Sequence, residues 1–287
     1  MLRHGLKYLT GPFDIHTGGV DHRQVHHPNE IAQNQGYLGG EQPGANYWLH
    51  SEFLIMQGDK MSKSSGQFWR LQTLIDKAVH PLAYRFLLLQ SHYRSQLDFS
   101  LDAAIQAKVG YERILRRIAV LREQAGTETR ESVNIAGQAD LTTGGPLDYL
   151  RHTYQRDLSA AATNVLQRFQ EAIADDLGTP KARAILTAII IDNTIPPAEA
   201  LRTIGCMDLV LGLDLLTLEP RQLQIRPADA TIAEEHIEAL LAERQQARAQ
   251  RDWARADQIR TQLNDAGISI QDDASTDSTI WSWQPRS

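Results

Sequence analysis

Residues 59–66 read Asp-Lys-Met-Ser-Lys-Ser-Ser-Gly. Lys60 and Lys63 stand three positions apart among Met61, Ser62 and Ser64, with Gly66 behind them. Such a turn sets compact ammonium charges beside hydroxyl and backbone N–H donors, the groups that can close over a polyphosphate. Aimed at charge developing on a leaving pyrophosphate, they would lower a barrier as well as bind. The same composition also suits a solvated lysine turn, so the surrounding sequence has to decide.

Upstream, Phe13-Asp14-Ile15-His16 reads as a strand running into Thr17-Gly18-Gly19-Val20-Asp21, and His26 to Gln35 as a helix. Tyr47-Trp48-Leu49-His50 and Phe53-Leu54-Ile55-Met56 read as further strands, with Gly58-Asp59 as the turn into the lysine segment. From Leu71 the apolar period becomes helical, through Leu74, Ile75 and Ala78, then Leu82, Phe86 and Leu89 after a break at Pro81. Amphipathic helices are expected at about 101–125, 147–175, 180–192 and 196–211, with Gly126 to Gly145 as a loop. At Asp176-Leu177-Gly178-Thr179-Pro180-Lys181 one helix stops and another starts, with Thr179 as the expected N-cap and Pro180 at the first helical position.

A proline-bearing linker covers 213–232. A helix over Ile232–Ala249 follows, then a second one that Asp252 could cap, ending at Ala266-Gly267. Ile268-Ser269-Ile270 and Ile280-Trp281-Ser282-Trp283 alternate as short strands. The expected domains are therefore 1–70, 71–212 and 213–287. A sheet built from the first of these alone would leave an open edge and an uncovered apolar face.

The chain has 287 residues, 42% hydrophobic and 22% charged, which is ordinary for a globular protein. No apolar run approaches the ~18 residues that span a bilayer, and Met-Leu-Arg-His-Gly lacks a signal peptide's apolar core, so a cytoplasmic location is expected. Cys206 is the single cysteine, set in Ile204-Gly205-Cys206-Met207 as a small buried hydrophobe. A net charge of −6 excludes bulk electrostatic attraction to nucleic acid, leaving local patches as the means of RNA contact. Arg113, Arg116, Arg117 and Arg122 form one candidate. Arg244, Arg248, Arg251 and Arg255 form another, aligned if their helix is continuous. Glu238, Glu243, Asp252 and Asp257 interleave the second set, so a solvated, ion-paired surface is the competing reading. Trp253 is expected in a core, while Trp281 and Trp283 could pack or stack on bases.

His26 and Glu30 are spaced i, i+4, which puts two ligand types on one helix face. His22 and His27 are further candidate ligands. Simple hydrogen bonding within a cleft is the alternative for all of them.

The order Lys60-Met61-Ser62-Lys63-Ser64 resembles the signature loop of class I aminoacyl-tRNA synthetases. Taken with Phe13–Asp21, with His26-His27-Pro28-Asn29-Glu30-Ile31-Ala32-Gln33 and with Ser91-His92-Tyr93-Arg94-Ser95-Gln96-Leu97-Asp98-Phe99-Ser100, it resembles the second half of a cysteinyl-tRNA synthetase. Arg244 to Asp257 resembles that family's anticodon-binding module. The implied fold is an α/β remnant, the second half of a Rossmann-type catalytic domain, followed by a helix bundle and a small α+β C-terminal domain. The implied reaction is ATP-dependent activation of cysteine and its transfer to tRNA-Cys. Lys63, supported by Lys60, would meet the phosphates. Met61, Ser62 and Ser64, with Gly18, Gly19 and Asp21, would contact the nucleotide. His26 and Glu30 match two of the four family ligands of a zinc ion that recognises the thiol. Of the two cysteine ligands, one position falls at Met1 and the other belongs to an N-terminal half whose His-x-Gly-His element is absent here.

The resemblance thus implies a complementary N-terminal half, without which the chain is expected to be inactive. A noncatalytic tRNA-binding protein is the alternative of a different class. A cysteine–sugar ligase paralogue is a related one, against which the Arg244–Asp257 pattern counts. Tyr93-Arg94 and Asp98-Phe99 are expected to serve as a structural junction.

Overall fold

The computed structural model describes residues 13–41, 43–56, 59–60, 69–126, 158–227, 230–273 and 278–283. The chain folds into two compact units. One gathers Met1–Phe68, Leu88–Ser100 and Gln170–Arg183; the other gathers Trp69–Leu87, Leu101–Phe169 and Ala184–Ser287. This division falls near residue 70, does not separate the expected 71–212 and 213–287 domains from each other, and adds two short later stretches to the first unit.

In the first unit, β1 (Phe13–Gly19), α1 (His26–Leu38) and β2 (Ala45–Ser51) form a β–α–β element with parallel strands. Ile15 lies opposite Tyr47, His16 opposite Trp48, and Gly18 opposite His50. Helix α1 stops at Gly39, whose left-handed φ of 70° lets its N–H bond the Gln35 carbonyl. Gly44 is needed for space: a Cβ there would meet the buried Asn34 amide at 2.0 Å, and Asn34 donates to the Pro43 carbonyl at 3.1 Å. Strand β3 (Leu54–Met56) pairs antiparallel with β4 (Asp59–Lys60) and parallel with β5 (Leu97–Asp98). The expected α/β character is seen in this unit.

Helices α2 (Leu71–Asp76), α3 (Pro81–Leu88), α4 (Leu101–Ala125), α5 (Ala160–Ala174), α6 (Thr179–Ile191) and α7 (Pro197–Leu211) follow. On α4 the buried stripe runs through Ala104, Ala107, Tyr111, Leu115 and Ile118, the i, i+3/i+4 spacing of one face. It packs with α7, which buries Leu201, Ile204 and Met207, and Phe86 stacks on Tyr111 at 5.5 Å. Cys206 is buried on α7 as expected. Nearly all of the expected loop at 126–145, and the start of the 147–175 helix, lie outside the described residues.

Thr179 does not cap α6. It is the first helical residue, and its hydroxyl donates to the Ser91 carbonyl at 3.3 Å. The chain turns there through Asp176 and Leu177, both at left-handed φ (54° and 56°). A Cβ on Gly178 would meet the Ala172 carbonyl oxygen at 2.6 Å, so the turn admits no side chain at that point.

The C-terminal module is α8 (Glu234–Ala249), α9 (Trp253–Asp265) and the antiparallel pair β6 (Ile268–Asp273) and β7 (Ser278–Trp283). Asp252 caps α9 as expected, accepting the Arg255 N–H at 3.0 Å. Ile237, Leu240, Ile259, Leu263, Ile268 and Trp283 make its core. Among the described residues no helix is long and apolar enough to cross a membrane.

Candidate metal centre

The strand period places His16 and Gly18 of β1 on the same sheet face as their partners Trp48 and His50 of β2, and α1 lays His26, His27 and Glu30 towards that face. Glu30 joins two imidazoles: its Oε2 is 3.0 Å from His16 Nε2 and its Oε1 is 3.3 Å from His26 Nε2. His27 is buried, with Nδ1 at 2.8 Å from His50 Nε2, and its own Nε2 is enclosed without a hydrogen-bond partner. His22 sits against His26 with ring centres 4.6 Å apart, and Trp48 lies 4.7 Å from His16 and 4.8 Å from His27.

Burial, then the neighbouring His16 and His50, holds His27 below the usual imidazole range. Burial, then Arg23, does the same to His50. Neutral imidazoles are the form that binds metal.

Ligand atoms of His16, His27 and Glu30 all lie within 4.8 Å of one another. Two nitrogens and a carboxylate fit a zinc-like cation, and the enclosed, unpartnered His27 Nε2 is the kind of atom such an ion satisfies. The expected pair was His26 and Glu30. Glu30 takes the central place, His26 remains its partner, and His27 joins the trio as one of the anticipated alternatives. His16 was missed as a ligand, having been read only as the last residue of a strand running into the glycine turn. The signal available was alternation, since His16 and Gly18 stand i, i+2 on one strand, as do Trp48 and His50.

Gly18 has a definite local role. A Cβ on it would meet His27 at 2.7 Å and His22 at 2.8 Å, so its bare backbone makes room for the imidazoles. A Cβ on Gly19 would meet the Asp21 carboxylate at 2.5 Å; Asp21 lies in the 3₁₀ turn Val20–His22 and folds back over the strand end. Lys60 closes β4, opposite Ile55. Met61, Ser62, Lys63 and Ser64 lie outside the described residues.

A cleft of about 460 Å³ adjoins the imidazoles, lined by Arg23, Trp48, His50, Glu52, Tyr93 and Arg94. Tyr93 and Arg94 are therefore more than the expected junction. They do form one: the Tyr93 hydroxyl donates to Asp176 Oδ1 at 2.6 Å, Arg94 Nε lies 3.0 Å from Asp176 Oδ2, and His92 Nε2 meets the Asp176 carbonyl oxygen at 2.7 Å. The same contacts aim both side chains at the cleft. Guanidinium, carboxylate and aromatic groups together suit a ligand carrying both charges and a flat or apolar part.

The arginines at the C-terminal end do not form one stripe. The helix breaks between α8 and α9, with Arg251 at a left-handed φ of 61°. Arg244 is buried and grips Asp272 with both Nη atoms, at 2.7 and 2.9 Å. Arg248 reaches the same carboxylate at 3.0 Å, and Arg255 pairs with Glu243 at 2.6 Å. On α4, Arg116 and Arg122 pair with Glu112 and Glu219. Trp253 also departs from expectation: it is 59% exposed, because it opens α9 a turn ahead of the buried stripe of Ala256, Ile259 and Leu263. Trp283 fills the core instead, and Trp281 donates to Glu238 at 2.8 Å.

Residues 4–109 match the family model of the tRNA synthetases class I (C) catalytic domain, and residues 233–277 that of the cysteinyl-tRNA ligase anticodon binding domain. The cysteine–tRNA ligase of Zymomonas mobilis is 42% identical over 290 residues, covering 98% of this chain and 55% of the relative. That of Novosphingobium aromaticivorans is 42% identical, covering 95% and 51%, and that of Treponema denticola 38%, covering 96% and 54%. The chain spans about half the length of the curated relatives it matches. These matches show that the chain belongs to the cysteinyl-tRNA ligase family of class I aminoacyl-tRNA synthetases.

Proposed function

We propose that this chain carries the lysine-loop portion of a cysteine–tRNA ligase, which activates cysteine with ATP and transfers it to tRNA-Cys. The observation that carries the reading is Glu30 bridging His16 and His26 beside the enclosed His27 Nε2, whose partner His50 lines a cleft of mixed charge. His16, His27 and Glu30, with His26 adjoining, would hold the zinc ion. Bound zinc would supply a Lewis acid that favours the substrate thiol as thiolate.

Trp48 and His50 would wall the amino-acid side of the cleft, and Arg94, steadied by Asp176, would face its carboxylate. Lys63 and Lys60, with Met61, Ser62 and Ser64, would close on the triphosphate. Asp21 would accept hydrogen bonds from the ribose, with Gly18 and Gly19 keeping the strand end low. A segment equivalent to the part of the relatives that this chain does not match would complete the nucleotide pocket. The C-terminal module would meet tRNA through Arg251 and the exposed Trp253, a cation beside a stacking surface. The match of that module to an anticodon-binding model weighs against a sugar ligase.

The test is cysteine-dependent ATP–pyrophosphate exchange by the chain co-expressed with the complementary segment. Exchange that is absent with serine and lost on chelation of zinc is expected. Equal exchange with serine would refute the assignment of cysteine.

A further inference from the structure

Just past the end of α5, Asp176 and Leu177 both hold left-handed φ, 54° and 56°. Aspartate visits that region more readily than most side chains and leucine rarely does, so the pair stores backbone strain. The turn presents the Asp176 carboxylate to two neighbouring side chains. Its Oδ1 accepts the Tyr93 hydroxyl at 2.6 Å and Arg94 Nη2 at 3.2 Å, and its Oδ2 lies 3.0 Å from Arg94 Nε. Arg94 Nε also donates to the Tyr93 hydroxyl at 2.9 Å, and the guanidinium lies 5.4 Å from the Tyr93 ring centre. The His92 imidazole donates to the Asp176 carbonyl at 2.7 Å, which fixes the backbone of the same turn.

Folding stability gives no reason for this arrangement. The side chains of Arg94 and Asp176 are 64% and 42% exposed, and ion pairs so exposed contribute little to stability. Arg94 belongs instead to the cleft beside His50, together with Tyr93, Arg23 and Glu52. An arginine free to swing loses rotamer entropy each time it meets a ligand, and one held beforehand does not. The contacts engage Nε and Nη2 and leave Nη1 as the donor for the cleft.

We infer that Asp176 is a positioning residue for the activation step: its strained turn locks Tyr93 and Arg94 so that Arg94 Nη1 is held ready for the carboxylate of the substrate amino acid. Asp176 itself touches no reacting atom and acts through Arg94. The inference rests on the proposed placement of Arg94 against that carboxylate, and it adds what holds Arg94 there and at what cost to the backbone.

The test uses the chain co-expressed with the segment that completes the proposed pocket, and compares Asp176→Asn, Leu177→Gly and Arg94→Ala. Asparagine tolerates left-handed φ and keeps an acceptor, so Asp176→Asn should melt within a few degrees of the parent. In cysteine-dependent pyrophosphate exchange it should raise the KM for cysteine about tenfold and leave the KM for ATP within about twofold. Leu177→Gly alters the turn but not the carboxylate, and should match the parent in both constants. Added to Arg94→Ala, Asp176→Asn should cost less than about twofold more, because a residue that acts through Arg94 then has nothing left to position.

A second readout needs no turnover. On the chain alone, labelling of Arg94 by phenylglyoxal, mapped by mass spectrometry, should be about fivefold faster in Asp176→Asn than in the parent, since the charge-assisted bonds that hold the guanidinium are gone. Arg23, elsewhere in the cleft, serves as the reference and should change little. Equal labelling of Arg94 in parent and variant overturns the inference. A rise in the KM for ATP in place of that for cysteine also overturns it, because a phosphate would then sit at Arg94. An equal loss in Leu177→Gly, or a drop in melting temperature that accounts for the kinetic loss, would make the turn structural only. A parent complex without exchange, or with exchange that does not need cysteine, sinks the ligase reading and leaves the labelling to decide Asp176.

Discussion

Glu30 shows how far single residues could be read. Its spacing from His26 made it a ligand candidate, and the fold gives it His16 as a second imidazole at 3.0 Å. That second contact comes from strand pairing, which brings β1 under α1 and cannot be read from spacing within a helix. The His27–His50 contact, 23 residues apart in the chain, was hidden for the same reason. Replacing Glu30 with Gln should lower zinc affinity by about 100-fold, and His22→Ala by less than tenfold, because His22 lies outside the trio. Competition against a chromophoric chelator would measure both. Equal losses would mean that the ion sits elsewhere among the imidazoles. Trp253 teaches the opposite lesson: a tryptophan in a small module was assigned to the core, but its place at the helix start leaves it in solvent.

Single elements yield two expectations. At the end of α7, Gly212 turns at a φ of 60° and Asp208 accepts the N–H groups of Leu213 and Leu215 at 2.8 and 2.7 Å. Tyr111 donates its hydroxyl to the Leu213 carbonyl, and Arg85 Nε donates to that of Leu211 at 2.7 Å. Burial pushes the Asp208 carboxyl up to about 6, despite the two amides that favour its charge. A group with a raised folded pKa holds its proton longer in the folded state. Stability should therefore fall as pH rises from about 4 to 6, by roughly 2–3 kcal/mol from this residue. Asp208→Asn should flatten that segment of the stability–pH curve measured by urea unfolding. The slope is the readout, because the amide also forfeits one N–H bond. A slope unchanged in the variant would contradict the assignment.

In the α8–α9 module, Arg244 and Arg251 should behave differently. Arg244→Ala leaves Asp272 with one fewer partner and empties a buried site, which should cost about 2–4 kcal/mol in thermal unfolding. Arg251→Ala should leave stability within about 0.5 kcal/mol and lower the salt dependence of tRNA binding by about one unit of slope. A stability loss without a binding loss at Arg251 would remove it from the RNA surface. Spacing aligned both arginines only on a continuous helix, and the break that Asp252 marks between α8 and α9 separates them.

For the whole molecule, the sequence marked most elements correctly and their grouping less well. Helix α4 was legible from its stripe, β1 and β2 from their alternation, and α9 from its Asp252 cap, since each depends on neighbours within a turn or two. That Ser91–Arg94 and Asp176–Thr179 meet was not legible: two left-handed residues and a bidentate carboxylate make that junction, and neither follows from local propensity. The catalytic reading is joined most directly to the whole chain by exchange kinetics. Cysteine-dependent ATP–pyrophosphate exchange should be undetectable with the chain alone, appear when the complementary segment is supplied, and drop by about 10²–10³-fold with Lys63→Ala while zinc content is unchanged. Exchange that persists undiminished in Lys63→Ala, or robust exchange by the isolated chain, would contradict the proposed ligase portion.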